Sequence, residues 1–152
     1  MMEIFLANRQ KRVAIDTRKI KKTARKILNA LGCDGSEVSI VIVNDEEITR
    51  LNRQYLQRNR PTNVIAFPMA SGDPFALNPN LLGDVVISAE TANRQALAVG
   101  GKTEEEILFL MIHGILHLLG YDHEKSPDDR RKMEAKEREL FHGVRGFKGT
   151  SD

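Results

Sequence analysis

What the sequence has little of already limits the kind of protein it encodes. Only one of its 152 residues, Cys33, is a cysteine, so no disulfide can form within the chain. No apolar run approaches the roughly 20 residues that cross a bilayer, and residues 1–6 lack the basic leader and long apolar core of a signal peptide. We therefore expect a protein of the reducing cytoplasm that has no membrane partner.

The composition is typical of a globular domain. Hydrophobic residues make up 41% of the chain, which is enough for a sizeable core, and neither a repeat nor a change of composition divides the sequence. We predict one domain over residues 1–142. Glycines and polar residues follow it, so we predict a flexible C-terminal tail over residues 143–152.

Positive charge is concentrated near the N-terminus although the net charge is only +2. Residues 9–26 contain one acidic residue, Asp16, and nine basic residues. The basic residues are Arg9, Lys11, Arg12, Arg18, Lys19, Lys21, Lys22, Arg25 and Lys26. Such a run is either the solvated outer face of a helix or a surface that holds the phosphates of a nucleic acid. Both interpretations stay open at this point.

Hydrophobic periodicity and turn residues predict alternating strands and helices. The strand-like segments are β-branched or alternating, and they cover residues 2–7, 13–15, 37–43, 64–67 and 83–88. Five helices are predicted, over residues 16–31, 45–56, 89–99, 103–119 and from 127 to about 141. Thr103 and Glu106 have the spacing of a capping box, and the run that follows them is apolar on every side, as in a buried central helix. Residues 69–82 are rich in proline and asparagine, which indicates an irregular loop.

Three of the four histidines form the pattern H-x-x-x-H-x-x-G-x-x-H at His113, His117 and His123. Residues four apart share a helix face, so the first two imidazoles can reach one ion, and Gly120 can end the helix and turn the third back. Three neutral imidazoles suit zinc and leave a fourth coordination position open, as catalytic sites do. The pattern predicts one zinc ion per chain, although nickel or another divalent metal also fits these ligands.

The neighbours of the histidines leave some alternatives open. In metzincin peptidases a glutamate follows the first histidine and acts as the general base, whereas this chain has Gly114 there. A metallopeptidase would need another carboxylate, for example Glu137 or Asp84. Asp122 either orients a ligand imidazole or caps the turn.

The histidine pattern and three further stretches together resemble the YbeY family of bacterial endoribonucleases. The motif HGILHLLGYDH agrees almost residue for residue, and the other stretches are Leu51-Asn52 with Tyr55, residues 61–68 (PTNVIAFP) and residues 82–88 (LGDVVIS). The likeness spans about residues 38–140. It implies a single-domain α+β fold in which a small mixed four-stranded sheet packs with about five helices, and whose central metal helix is similar to that of zinc peptidases.

The resemblance also implies an activity and partners. It implies a metal-dependent, single-strand-specific endoribonuclease that acts in 16S rRNA 3′-end maturation and ribosome quality control. The metal on His113, His117 and His123 would activate water or stabilise the phosphoryl transition state. The implied partners are single-stranded regions of 16S rRNA, the ribosome or its small subunit with its proteins, and a GTPase assembly factor.

One departure from the family concerns the residue after Tyr55. The resemblance implies an arginine there that faces the RNA, and this chain has Leu56. Arg58 or Arg60 is expected to take over the contact with phosphate, within a group that also includes Arg50 and Arg53. The other interpretation of this group is a set of solvated arginines.

Two other functions remain open from the sequence. One is a metallopeptidase on a metzincin-like scaffold, and the other is a non-catalytic ribosome assembly factor with a structural metal.

Overall fold

The computed structural model describes residues 3–33, 35–69, 80–122 and 124–149. Within these residues the chain forms four strands, β1 (Glu3–Asn8), β2 (Glu37–Val43), β3 (Val64–Pro68) and β4 (Leu81–Ser88). It also forms five helices, α1 (Thr17–Ala30), α2 (Asp45–Leu56), α3 (Ala89–Ala98), α4 (Thr103–Leu118) and α5 (Pro127–Gly149).

The four strands make one mixed sheet in the order β1-β2-β4-β3. β1 and β4 both run parallel to β2, while β3 pairs antiparallel with β4 and forms an edge of the sheet. The predicted α+β fold, with a four-stranded mixed sheet and five helices, is confirmed. Among the described residues, none of the helices has the length and apolar character needed to cross a bilayer.

Helix α4 is the centre of the core. Its apolar residues are buried around most of the helix, and those without any exposed surface include Ile112, Ile115 and Leu116. The helix packs against β3 and β4 on one side and against α3 and α5 on others. A helix fixed on several sides provides a rigid base for the side chains that it carries.

Residues 13–15 do not form the predicted strand. The side chain of Gln10 forms hydrogen bonds with both backbone groups of Val13. Its Oε1 accepts from the Val13 N–H, and its Nε2 donates to the Val13 carbonyl, each over 2.9 Å. Gln10 is buried, with 6% of its surface exposed. Because the amide side chain already satisfies these groups, Val13 has no need of a neighbouring strand.

The predicted capping box at Thr103 is also wrong. Lys102 is the N-cap of α4 and makes no side-chain cap, and Thr103 is the first residue of the helix. The Thr103 hydroxyl instead donates to Oδ1 of Asn93 over 2.6 Å. The threonine therefore joins α3 to α4 rather than capping its own helix.

The C-terminal helix is longer than the sequence pattern predicted. α5 continues past His142 to Gly149, and Val144 packs into the core with 4% of its surface exposed. An apolar residue one turn beyond Leu140 thus extends the inner face of the helix. The flexibility of residues 143–152 stays a prediction.

Asp45 joins the start of α2 to α3. Its carboxylate accepts hydrogen bonds from the Ser88 and Thr91 hydroxyls, both over 2.6 Å, and forms an ion pair with Arg94 at 2.7 Å. Burial alone would raise the pKa of Asp45, but these three donors together outweigh burial and hold the pKa below its usual value of 3.8.

We expect Asp45→Asn to lower the free energy of unfolding by about 1.5 kcal/mol at neutral pH, since charge-assisted hydrogen bonds are lost. The folded-state pKa of Asp45 lies below the unfolded one, so its stabilisation is complete above the unfolded value and is lost as the pH falls through the folded value. Urea unfolding across this pH range measures the difference. Asp128→Asn, at an exposed ion pair with Arg131, is the matched control. A difference that stays constant into acid would contradict the assignment.

Candidate active site

His113 and His117 lie one turn apart on α4 and face the same cleft. Their Nε2 atoms are 3.1 Å apart, and their ring centroids are separated by 4.7 Å. Both residues are partly buried, which is the position expected for side chains at the floor of a cleft. The structure therefore brings together the first two residues of the histidine motif.

The distance between the two nitrogens suits a shared metal ion. Two imidazole nitrogens bound to zinc at tetrahedral angles lie about 3.3 Å apart, given the usual Zn–N distance. The observed 3.1 Å is close to this value. The third predicted ligand, His123, lies outside the described residues, and within the described ones no group of three or more potential ligands occurs. The pair fits a metal, and the full ligand set stays a prediction.

The backbone after His117 turns as the sequence predicted. Gly120 has a φ of 97°, and its N–H donates to the carbonyl of His117, while the N–H of Tyr121 donates to that of Leu116. This pair of bonds is the Schellman arrangement that ends helices at a glycine. It directs the chain away from the helix axis immediately before residue 123.

Glu137 is a site residue whose role sequence reasoning missed. Its Oε2 lies 2.5 Å from Nδ1 of His113, and only 5% of the residue is exposed. From the sequence, Glu137 was predicted only as a candidate peptidase base. Its spacing from Met133 and Leu140, both buried on α5, was the available signal, because all three share the inner face of that helix.

The other two carboxylates considered from the sequence are Asp122 and Asp84. Asp122 accepts a hydrogen bond from the N–H of Glu124 over 2.9 Å, so it caps the turn, and its other predicted role of orienting a ligand imidazole stays a prediction. Asp84 lies on β4 opposite Phe67 and does not line the histidine cleft.

Gly114 is required by the approach of α4 to the sheet. A Cβ placed on Gly114 would lie 2.6 Å from Cγ1 of Val85 and 3.4 Å from Cγ2 of Val64. The first distance is far below van der Waals contact, so no larger residue fits unless the helix or the side chain of Val85 moves. The glutamate that a metzincin peptidase has at this position is therefore excluded by packing as well as by sequence.

The cleft above the histidines has a volume of about 680 Å³. The edge strand β3 and the residues before it form one wall, and the turn after α4 forms another. Of the four candidate arginines, only Arg58 lines this cleft among the described residues, while Arg50 and Arg53 line a separate depression beside Asp45. Arg60 lines neither.

Asn52 holds the segment that carries Arg58. Its carbonyl accepts from the N–H of Arg58 over 3.2 Å, and its side-chain amide donates to the carbonyl of Arg60 over 2.9 Å. Only 2% of Asn52 is exposed, and Gln57 turns the chain with a φ of 54°. The backbone carbonyl and the side chain of one buried residue thus fix the two ends of the arginine segment.

Comparison with known proteins decides the family. A family model described as Endoribonuclease YbeY matches residues 5–145. The chain belongs to this family. Its relatives include the endoribonuclease YbeY of Geobacter metallireducens, 53% identical over 92% of this chain and 94% of the relative. That of Syntrophotalea carbinolica is 50% identical over 93% of this chain and 95% of the relative. The solution structure of TM1509 from Thermotoga maritima is similar with a TM-score of 0.68 and 26% identity, covering 97% of this chain and 93% of that one.

Membership in the YbeY family gives the activity class, because the relatives are named endoribonucleases, which cut phosphodiester bonds within RNA. Leu56, the residue after Tyr55, lines the histidine cleft. Arg58 lines the same cleft two residues later. The assignment of catalytic roles to individual residues stays a prediction.

Proposed function

We propose that the chain is a cytoplasmic, metal-dependent endoribonuclease that cuts single-stranded RNA in 16S rRNA 3′-end maturation and in ribosome quality control. One observation carries the proposal: in a chain of an endoribonuclease family, the paired Nε2 atoms of His113 and His117 share a cleft with the guanidinium-bearing Arg58. The packing at Gly114 argues against the metallopeptidase alternative.

His113 and His117, together with the predicted ligand His123, would hold the metal, for which zinc is the first candidate. When bound, the metal would supply a Lewis acid that stabilises negative charge on a phosphoryl oxygen. The two described histidines contribute fixed nitrogens, because α4 is packed on several sides and cannot adjust easily.

Arg58 would bind a phosphate of the RNA strand. A guanidinium presents paired donors that match two phosphate oxygens, and it keeps its charge at any physiological pH. Because Asn52 forms hydrogen bonds with the backbone of Arg58 and Arg60, the positions that the Arg58 guanidinium can reach are restricted. Three residues before Arg58, the exposed ring of Tyr55 packs edge-on against Phe67 and offers a surface on which a nucleobase can stack.

The basic face of α1, which we define as the exposed residues Arg18, Lys22 and Arg25, would form a docking surface for rRNA or for proteins of the small subunit. Three other basic residues of the same stretch are engaged in ion pairs, namely Arg9 with Glu47, Arg12 with Glu90 and Lys19 with Glu104. A GTPase assembly factor is a further candidate for delivering the RNA.

Cleavage of a 16S rRNA 3′-end fragment tests the proposal. The purified chain is stripped with a chelator and then reloaded separately with zinc, nickel or manganese, and products are mapped at single-nucleotide resolution. We expect no cuts by the stripped protein and cuts in single-stranded segments after reloading. Equal cutting with and without metal would refute the metal-dependent mechanism, and no cutting with any metal would favour the assembly-factor alternative.

Arg58→Ala should lower the rate of RNA cleavage by about 10- to 100-fold, since one charge-assisted phosphate contact is lost. Zinc affinity should stay unchanged, because Arg58 is not a ligand. Single-turnover cleavage and zinc titration of the same preparation measure the two effects. Arg138→Ala, which removes an exposed arginine of α5 away from the cleft, is the control. A larger loss in Arg60→Ala than in Arg58→Ala would move the phosphate contact to Arg60.

A further inference from the structure

The contact between Glu137 and His113 involves a carboxylate that lies on the buried inner face of α5, where apolar residues are expected. The inner face of α5 packs into the core through Met133, Leu140 and Val144, which are all buried. Glu137 lies in the same row, and transferring a carboxylate into such surroundings is unfavourable unless a donor compensates it. Among the described residues, the only hydrogen bond of its side chain is the 2.5 Å contact with Nδ1 of His113.

This contact favours one tautomer of His113. A carboxylate accepts hydrogen bonds, so it pairs with the tautomer of the imidazole whose proton is on Nδ1. A neutral imidazole with a proton on Nδ1 has its lone pair on Nε2, and Nε2 is the atom that faces His117 at 3.1 Å. The contact thus selects the tautomer in which the nitrogen that faces the cleft can bind a cation.

The same geometry excludes Glu137 from proton transfer to a substrate. Its carboxylate contacts the ring nitrogen that faces α5, on the side of the imidazole away from the cleft, and Glu137 is not among the cleft-lining residues. It can influence the reaction only through His113.

We infer that Glu137 is the positioning residue of the metal centre: from α5 it fixes the tautomer and the ring orientation of His113 and increases the basicity of Nε2. The inference rests on the proposed metal centre and adds a residue from a second helix to it. Carboxylates that accept from a ligand histidine typically change metal affinity by about 10- to 100-fold when they are removed.

Zinc affinity of the full chain, measured by competition with a chromogenic chelator, tests the inference. We expect Glu137→Gln to weaken zinc binding by about tenfold and Glu137→Ala by up to about a hundredfold. Glu134→Gln makes the same charge change at an exposed position of the same helix and should stay within about twofold of the wild type. Melting temperatures of the metal-free variants separate loss of folding from loss of ligand orientation.

The tautomer itself gives a second readout that does not depend on any activity. ¹⁵N chemical shifts of the His113 ring in the metal-free wild type should show the proton on Nδ1, and Glu137→Gln should shift the population towards the other tautomer. A proton mainly on Nε2 in the wild type would overturn the inference, even if every variant failed to fold.

The two proposals fail differently. If both Glu137 variants bind zinc as the wild type does and only melt at lower temperature, Glu137 is structural and the inference is wrong, while the nuclease proposal stands. If the wild type binds zinc with the expected dependence on Glu137 but never cuts RNA, the nuclease proposal is wrong and the positioning role stands. A wild type that binds none of zinc, nickel and manganese would overturn both.

Discussion

His117→Ala should reduce cleavage of the 16S rRNA fragment by on the order of a thousandfold or more. The substitution removes one of the two nitrogens that lie 3.1 Å apart, and a single remaining imidazole on α4 cannot fix an ion in the cleft. Zinc binding should fall together with activity. Single-turnover cleavage and zinc titration, on wild type and variant purified identically, measure both effects.

His142→Ala is the matched control for this substitution. His142 is exposed on α5 and contacts only the neighbouring Phe141 ring among the described aromatic residues. It should therefore keep full cleavage and full zinc affinity. If wild type and His117→Ala cut equally, the cuts come from a contaminating ribonuclease or from a site other than the histidine pair.

The same variant separates the nuclease from the assembly factor with a structural metal. A structural metal predicts that His117→Ala lowers the melting temperature and still complements an assembly defect at a permissive temperature. A catalytic metal predicts loss of complementation in a variant that remains folded. Circular dichroism of the purified variant, measured beside the complementation assay, tells the two apart.

The local sequence was sufficient to predict a strand or a helix wherever the residues of that element alone determine its structure. The β-branched run of β2 and the Asn44 side chain, which accepts from the N–H of Glu47 over 2.8 Å, fix the end of a strand and the start of α2 without help from distant residues. Residues 13–15 look equally strand-like, but a nearby amide competes for their backbone. The hydrophobic pattern of a sequence indicates which side chains are buried, but it does not indicate whether a side chain will compete for backbone hydrogen bonds.

The candidate site likewise combines features that the local sequence predicts with features that depend on tertiary packing. The convergence of His113 and His117 follows from helix geometry alone, so spacing predicted it. The contact with Glu137 depends on how α5 packs against α4, and Arg58 lines the cleft in a segment that follows a left-handed turn at Gln57. These are tertiary and backbone details that neither periodicity nor composition encodes.

Gly114→Glu should abolish folding, and this result would link the packing of α4 to the chemistry of the cleft. Even a Cβ at this position would lie 2.6 Å from Cγ1 of Val85, which has no exposed surface. A glutamate adds a buried carboxylate, so we expect a loss above about 5 kcal/mol, comparable to the whole stability of many domains. Absence of a cooperative urea transition in the purified variant is the measurement.

Gly114→Ala gives the quantitative form of the same argument. Overlap with Val85 should destabilise the chain by about 2 kcal/mol, even though alanine favours helix over glycine by about 1 kcal/mol. Gly143→Ala, at a helical position with nothing within 4 Å of the added Cβ, shows only the favourable helix effect and should be neutral or stabilising. Because Val85→Ala makes room for the new methyl group, the double variant should recover about 1 to 2 kcal/mol relative to the sum of the single changes. Purely additive effects would mean that a contact other than the one between Gly114 and Val85 determines the distance between α4 and β4. In that case Gly114 would not determine how far the histidines of α4 lie from the sheet.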